Sequence, residues 1–328
     1  MTRPDPFVPL AGATIRQAGH DDADLDTIAS IVNAVSPDDP TAIDEMRWAD
    51  ATYPGTARFL AESNGRPVGV GTVGRIYMYP ADFGGLWATV EVLPDARRQG
   101  VGSALLVAVS ERARAAGKST LHIPVTAARP DGFEFLRRRG FTEYERTKAA
   151  RLDLAGLAPA PIDGPPGILL TTLAERPELV PSVHAVAVEA FPDIPSGDEP
   201  IAPGDLAEFR ARDVDRPSIP HDAFMVALEA ATGRVVGYAS LILVPGTTSS
   251  VALHDMTAVV RDWRGRGVAG ALKRATIGWA VANGLDALET GNDLDNAPVR
   301  ALNARLGFRP MPDVMTMRGP LFGGMMGT

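Results

Sequence analysis

The 328-residue chain contains no cysteine, which excludes disulfides, thiolate metal sites and a covalent acyl-cysteine intermediate. It has no apolar stretch near the ~20 residues that a membrane-spanning helix needs, and its first residues, MTRPDPFVPL, lack the apolar core of a secretory signal. A cytoplasmic protein without a membrane partner is the expectation. Positive charge is not in surplus either: 32 Lys and Arg against 40 Asp and Glu give a formal net charge of −8. That balance argues against generic nucleic-acid binding and suits a cationic, amine-bearing partner. Histidine is scarce, and His20, His122, His184 and His221 stand at no spacing that marks a catalytic pair or a metal site. What remains is ample for two ordinary domains, each with its own core, at 45% hydrophobic residues.

The dominant positive feature is an internal repeat. Gly100, Gly117 and Gly140 recur as Gly267, Gly284 and Gly307, each pair 167 residues apart. Residues 90–117 (VEVLPDARRQGVGSALLVAVSERARAAG) and 257–284 (TAVVRDWRGRGVAGALKRATIGWAVANG) both run from an apolar strand through an Arg- and Gly-rich turn into a helix. Such a helix start leaves backbone N–H groups unpaired and carries partial positive charge, which suits an anion. Gly100, Gly102, Gly267 and Ala269 have little side chain to block a pyrophosphate, so residues 100–103 and 267–270 would present their donors to it. Arg97, Arg98, Arg264 and Arg266 flank the turns, where a guanidinium can grip phosphate oxygens at two points.

Each copy reads as a complete α/β unit. An opening strand (13–18; 168–173) precedes a helical stretch (22–35; 175–190) and a hairpin (58–73, with Asn-Gly at its tip; 224–243, with Thr-Gly). The turn-and-helix segment, a strand (120–125; 287–292), a helix and a closing strand follow. Val101, Leu105, Leu106 and Val109, and Val268, Leu272 and Ile277, give the two repeat helices an apolar side for a sheet. Residues 155–167 (AGLAPAPIDGPPG), with four prolines, read as a linker between domains 1–154 and 168–328.

Arg97-x-x-Gly100-x-Gly102 and Arg264-x-x-Gly267-x-Ala269 resemble the acetyl-CoA signature of the GNAT superfamily of N-acetyltransferases. Its second element, an Asn followed by a helix ending in Leu-Gly-Phe, appears from Asn296 to Phe308, and in eroded form over 130–141. The resemblance spans both halves and implies two tandem GNAT domains, each a mixed α/β sheet with helices on its faces. It further implies acetyl-CoA as co-substrate, with cofactor contacts from Val92, Arg97, Arg98, Gly100, Val101, Gly102 and Ser103 in one half. The matching positions in the other are Val259, Arg264, Arg266, Gly267, Val268, Ala269 and Gly270, joined by Asn296 and Asn303. In the family the strand before the loop pairs with the pantetheine arm, so a backbone N–H at Val92 or Val259 would steady the thioester oxygen.

Direct transfer to an amine also needs a base. Glu91 is a candidate in the first half, although strand alternation could equally turn it to solvent. In the second half Asp255 and Thr257 share a face by two-residue periodicity while His254 points away, and Asp255 is the better base or ammonium anchor. The family's thiolate-protonating Tyr is replaced by Leu136 and Asn303, so solvent or a hydroxyl such as that of Thr257 would assist departure. Asn296 reads either as a pantetheine ligand or as a helix N-cap. The intact Leu-Gly-Phe element favours catalysis in the second half, with the first a degenerate or regulatory binder. Residues 191–222 are acidic and Pro-rich, and Asp193, Asp198 and Glu199 there would meet a polyamine-like substrate or simply solvent. Three readings remain open: an acetyltransferase for a small amine (an amino sugar, an antibiotic or a metabolite), a transferase with another acyl donor, and a non-catalytic acyl-CoA binder. The chain would act as a monomer or homodimer.

Overall fold

The computed structural model describes residues 13–37, 39–159, 163–197, 200–244 and 250–323; Asp198 and Glu199 lie outside them. The first copy runs β1 (Ala13–Gln17), α1 (Asp22–Val35), α2 (Ile43–Thr52), β2 (Ala57–Ser63), β3 (Arg66–Arg75), β4 (Gly85–Val92), α3 (Val101–Ala115), β5 (Thr120–Thr126), α4 (Pro130–Arg137) and β6 (Thr142–Asp153). The second runs β7 (Ile168–Thr172), α5 (Val180–Ala190), α6 (Leu206–Phe209), β8 (Met225–Glu229), β9 (Val235–Leu243), β10 (Val251–Val259), α7 (Val268–Ala282), β11 (Ala287–Asp293), α8 (Ala297–Arg305), β12 (Arg309–Pro310) and β13 (Val314–Pro320). The mixed sheet with helices on its faces is thus present in both copies. Local chemistry accounts for the elements. Asp21 caps α1 by accepting from the Asp24 N–H, and Leu25, Ile28 and Ala29 recur at the helical interval that buries one side.

Two compact units form. The first comprises residues up to Tyr77, Ala81–Arg146 and the chain from Asp313 onward; the second comprises Met78–Pro80 and Thr147–Pro312. In the first unit the strands follow the order β1-β2-β3-β4-β5-β13. Leu25, Ile28, Leu60 and Val70 pack on one face, and Leu106, Val109, Leu121 and Met317 on the other. In the second unit the order is β7-β8-β9-β10-β11-β6, with Leu241, Ala252, Ala280 and Leu288 forming the core on the α7 face. Tyr238, stacked on Phe224 at 5.5 Å, occupies the opposite face, where Phe209 of α6 meets its ring edge.

The second copy of elements begins at β7, after residues 155–167, but the compact units do not divide there cleanly. β13 pairs antiparallel with β5, from Val314↔Thr126 to Pro320↔Thr120, whereas β6 pairs with β11, from Thr147↔Asp293 to Asp153↔Ala287. Each closing strand therefore completes the sheet built by the other copy. The physical reason is edge satisfaction: β5 and β11 need an antiparallel neighbour on their outer side, and the long β6 reaches β11. Met317, 1% exposed, packs in the first unit's core although it belongs to the chain's last strand. Met317→Ala is expected to destabilise the first unit by about 2–4 kcal/mol, read by denaturant unfolding and by lost amide protection in β5.

Candidate active site

The constraint that shapes each unit's centre is a fork between two parallel strands. In the second unit β10 and β11 pair at Val251↔Ala287, Ala252↔Leu288 and Leu253↔Glu289, and no further. Beyond that point β11 continues on β6 and β10 on β9, so the two strands part. The Thr290 hydroxyl closes the crotch by donating to the His254 carbonyl at 3.1 Å. The first unit repeats this geometry: β4 and β5 pair only at Gly85↔Thr120, Leu86↔Leu121 and Trp87↔His122, then follow β3 and β13.

The mouth of each fork holds the Gly-rich turn. Gly100 and Gly267 precede α3 and α7 in the left-handed conformation, at φ 83° and 85°, and provide no side-chain cap. The first-turn N–H groups of Val101, Gly102 and Ser103, and of Val268, Ala269 and Gly270, are thus left to an external acceptor. Two residues earlier, Arg98 (φ 60°) and Gly265 (φ 74°) share that conformation, so the two turns match in backbone despite differing in sequence. Arg97 and Arg264 each donate from Nε to the last carbonyl of the preceding strand, Val92 at 3.0 Å and Val259 at 2.9 Å. Their first task is therefore to fasten the turn to the strand. Arg266 stacks over the Trp263 ring at 4.8 Å, and Arg98 faces Asp131 at 3.6 Å.

Asp193 is not a free carboxylate for a substrate. It binds Arg261 at 2.7 Å and Arg264 at 2.7 Å, and these guanidinium bonds hold it down at about 2. With Glu189, which accepts from the Arg261 N–H at 2.6 Å, it anchors the turn to the end of α5. Glu289 is likewise committed, to Arg151 at 2.6 Å.

β10 carries a β-bulge between His254 and Thr257, where its register on β9 shifts from His254↔Leu241 to Thr257↔Ala239. The extra residue reverses the alternation, which corrects the expectation that Asp255 and Thr257 share a face. Thr257 instead lies on the α7 side with His254, and its buried Oγ1 has no hydrogen-bond partner among the described residues. Asp255 projects to the opposite side, toward Ser240 at 3.5 Å. Its side chain is open to solvent but ringed by protein. That crowding, followed by the charge of Asp213, pushes its carboxyl up to about 6 against the pull of Arg216 and Ser240. His254 is a core histidine, 2% exposed and within 3.0 Å of the Thr276 hydroxyl, and burial drives its pKa well down. Asn303 is buried; its Nδ2 donates to Asn292 Oδ1 at 2.6 Å while its own Oδ1 has no partner among the described residues. Asn296 occupies the N-cap position of α8 without making a capping bond, so its amide is left to other partners.

The first unit diverges at the same places. Glu91 faces the α1 side, paired with Val70, and accepts from the Thr89 hydroxyl at 3.0 Å. Desolvation pushes it up to about 7, opposed by Thr89 and Arg129. Leu136 is plain core. The Phe135 ring lies where a Cβ on Gly102 would stand 3.3 Å away, and Arg139 covers that ring at 3.8 Å while donating to the Ser103 hydroxyl at 2.7 Å. Phe135 and Arg139 thereby pack against the first turn of α3. The second copy has Leu302 and Leu306 at the positions of Phe135 and Arg139. Ser240, Asp213 and Arg216 around Asp255 escaped sequence reasoning because a π turn at Arg210–Val214 and a bulge bring them together. No short spacing announces such contacts. Among the described residues no helix is long and apolar enough to cross a membrane, and no cluster of side chains could hold a metal ion.

A forked sheet, an uncapped glycine-led helix at its mouth and the duplication of both define a tandem acyltransferase architecture. The chain belongs to the Acetyltransferase (GNAT) family, whose pattern matches residues 26–141 and 185–308, one match in each copy. It is a tandem GNAT N-acetyltransferase. It is 28% identical over 272 residues to a mycothiol acetyltransferase of Clavibacter michiganensis, covering 81% of each chain. A mycothiol acetyltransferase of Brachybacterium faecium is 31% identical over 219 residues, 66% of this chain and 62% of its own. In fold it is similar to a tandem GNAT protein from the clavulanic acid biosynthesis pathway, with a TM-score of 0.74 at 21% identity over 95% of this chain and 100% of the other.

Because the folded-state pKa of Asp255 is raised from 3.8 to about 6, the native state holds the extra proton between those values. The stabilisation that Asp255 contributes is therefore fully present below about pH 4 and is lost as pH rises through about 6. Asp255→Asn is expected to raise Tm by about 2–4 °C at pH 7.5 and to lose that gain at pH 4, as measured by calorimetry.

Proposed function

We propose that the second unit transfers the acetyl group of acetyl-CoA directly to the amine of a small molecule, and that the first unit is an accessory coenzyme site. The observation that carries this reading is the second fork itself. It combines a helix start at Gly267–Gly270 that no side chain caps with a carboxylate of raised pKa, Asp255, on the acceptor side of the sheet. Arg266 and the N–H groups of Val268, Ala269 and Gly270 would hold the pyrophosphate, while Asn296 and the orphaned Oδ1 of Asn303 would meet the pantetheine amides. The freed edge of β10 through Val259 would pair with the pantetheine arm and steady the thioester oxygen.

Asp255 would take the proton that an attacking ammonium sheds, a role suited to a carboxyl lifted toward neutrality. Asp213 beside it is paired with Arg212 at 2.6 Å, so Asp255 is the carboxylate that would meet a small cationic amine, such as an amino sugar, an antibiotic or a metabolite. The first unit's loop, with Phe135 against Gly102 and Arg139 bonded to Ser103, supports the accessory role. A second reading is favoured by Glu91, raised to about 7: catalysis in the first unit after Phe135 moves aside. The phosphate-binding turn does not select the acyl group, so donors other than acetyl-CoA belong in the same screen. We place the activity in the cytoplasm, in a monomer or homodimer, without nucleic acid or membrane.

Calorimetric titration with acetyl-CoA tests the assignment through Gly100→Glu and Gly267→Glu. Loss of the productive site only in Gly267→Glu supports the second unit; loss only in Gly100→Glu transfers catalysis to the first. In turnover, Asp255→Asn is expected to lower kcat by about 10²–10⁴-fold. The wild-type rate should fall as pH drops below about 6, where Asp255 becomes protonated; an unchanged acid limb in Asp255→Asn would remove Asp255 from the mechanism.

A further inference from the structure

Lys273 is 1% exposed. It lies on the inner side of α7, between the buried Leu272 and the buried Thr276. No carboxylate pairs with it and no hydrogen bond reaches its ammonium among the described residues; the nearest charge-seeking contact is the Phe308 ring at 5.8 Å. Burial pulls its pKa down to about 7. An unpaired charge in such a place is costly, and folding alone gives no reason for it. The repeat supplies the control: the matching residue on α3 is Leu106, fully buried in the first unit's core. A leucine suffices for the fold at this position, so the lysine answers some other need.

Its surroundings indicate which. Residues His254 and Asp255 are consecutive on β10 at the crotch of the fork, and alternation sends them to opposite sides. Asp255 meets Ser240 and feels Asp213 on the α5 side. His254 meets Thr276, one turn along α7 from Lys273, and the lysine's charge helps depress the histidine. Three buried polar atoms without partners belong to this same side or its border: His254 Nδ1, Thr257 Oγ1 and Asn303 Oδ1. A thioester lodged in the fork would thus turn its carbonyl carbon toward Asp255 and its sulfur toward the polar cluster around Lys273.

Resting on the proposed coenzyme site of the second unit, we propose that Lys273 is a catalytic residue that donates a proton to the departing coenzyme A thiolate. As the amine nitrogen bonds to the carbonyl carbon, the C–S bond breaks with its electron pair on sulfur. A proton then passes from the Lys273 ammonium to sulfur, giving free coenzyme A and a neutral lysine. The proton shed by the amine leaves through Asp255 to solvent, and solvent recharges Lys273 once the product departs. This supplies the donor that Asn303, an amide, cannot be.

The test compares coenzyme A with desulfo-coenzyme A, which lacks only the sulfur, by calorimetry on wild type and Lys273→Leu. The wild type is expected to bind coenzyme A about tenfold more tightly than the desulfo compound. Lys273→Leu should bind both alike, with its desulfo-coenzyme A affinity unchanged. Release of thiol from acetyl-CoA should also slow by about 10–100-fold in the variant, in an assay that the cysteine-free chain leaves without background. An unchanged preference for the sulfur in Lys273→Leu overturns the role of Lys273 while leaving the coenzyme site in place. Failure of the wild type to bind either compound overturns the coenzyme site, and this inference with it. Should Lys273→Leu not fold, Lys273→Gln provides the same comparison.

Discussion

Everything at the centre of each unit depends on where two parallel strands stop pairing. Three ladder pairs join β10 to β11, and then each strand follows its other neighbour. Without an outer partner β11 would have no reason to leave β10, so β6, which belongs to the first copy, is what holds the second fork open. In the same way β13 draws β5 from β4. The closing strands therefore link the cores to the sites: packing at one edge of each sheet decides the width of the gap at its middle. Gly69 and Gly237 contribute from the inside, because a Cβ at either would stand 2.9 Å and 2.8 Å from a strand carbonyl beneath the repeat helix. Only glycine lets α3 and α7 lie this close to the strand whose end they cap.

Duplication makes the chain its own comparison. The two turns keep one backbone, with left-handed residues at 98 and 100 and again at 265 and 267, even though Arg98 adopts that conformation less readily than Gly265. Away from the turn the copies separate in chemistry. The second has a bulge in β10 that lifts Asp255 to one side and leaves Thr257 on the other, while β4 runs in unbroken register on β3. Where the first unit seats Leu106, Phe135 and Arg139, the second has Lys273, Leu302 and Leu306. The second copy gathers three groups of shifted pKa around its fork, His254, Asp255 and Lys273, where the first has Glu91, a grouping that chemistry requires and stability does not.

The sequence made the repeat, the paired elements and both turns legible, because glycine spacing and strand-helix alternation are local signals. Asn296 at the head of α8 and the apolar sides of α3 and α7 followed from the same kind of reading. What it could not reveal was non-local. The exchange of β6 and β13 leaves no trace in composition, since both are ordinary alternating strands. The β10 bulge inverted the faces of Asp255 and Thr257, as a single inserted residue always does. Asp193 looked available because its partners, Arg261 and Arg264, lie about seventy residues away. Lys273 gave one faint sign: a lysine among inward positions of a helix whose neighbours are nearly all buried.

We assign the coenzyme to the fork of the second unit, with base and acid on opposite sides of the sheet. Amide hydrogen exchange read by mass spectrometry, with and without acetyl-CoA, tests it most directly. New protection is expected over 256–270 and 290–303, the freed edge of β10, the start of α7 and the wall formed by β11 and α8. Protection confined to 88–103 would contradict it and place the working site in the first unit.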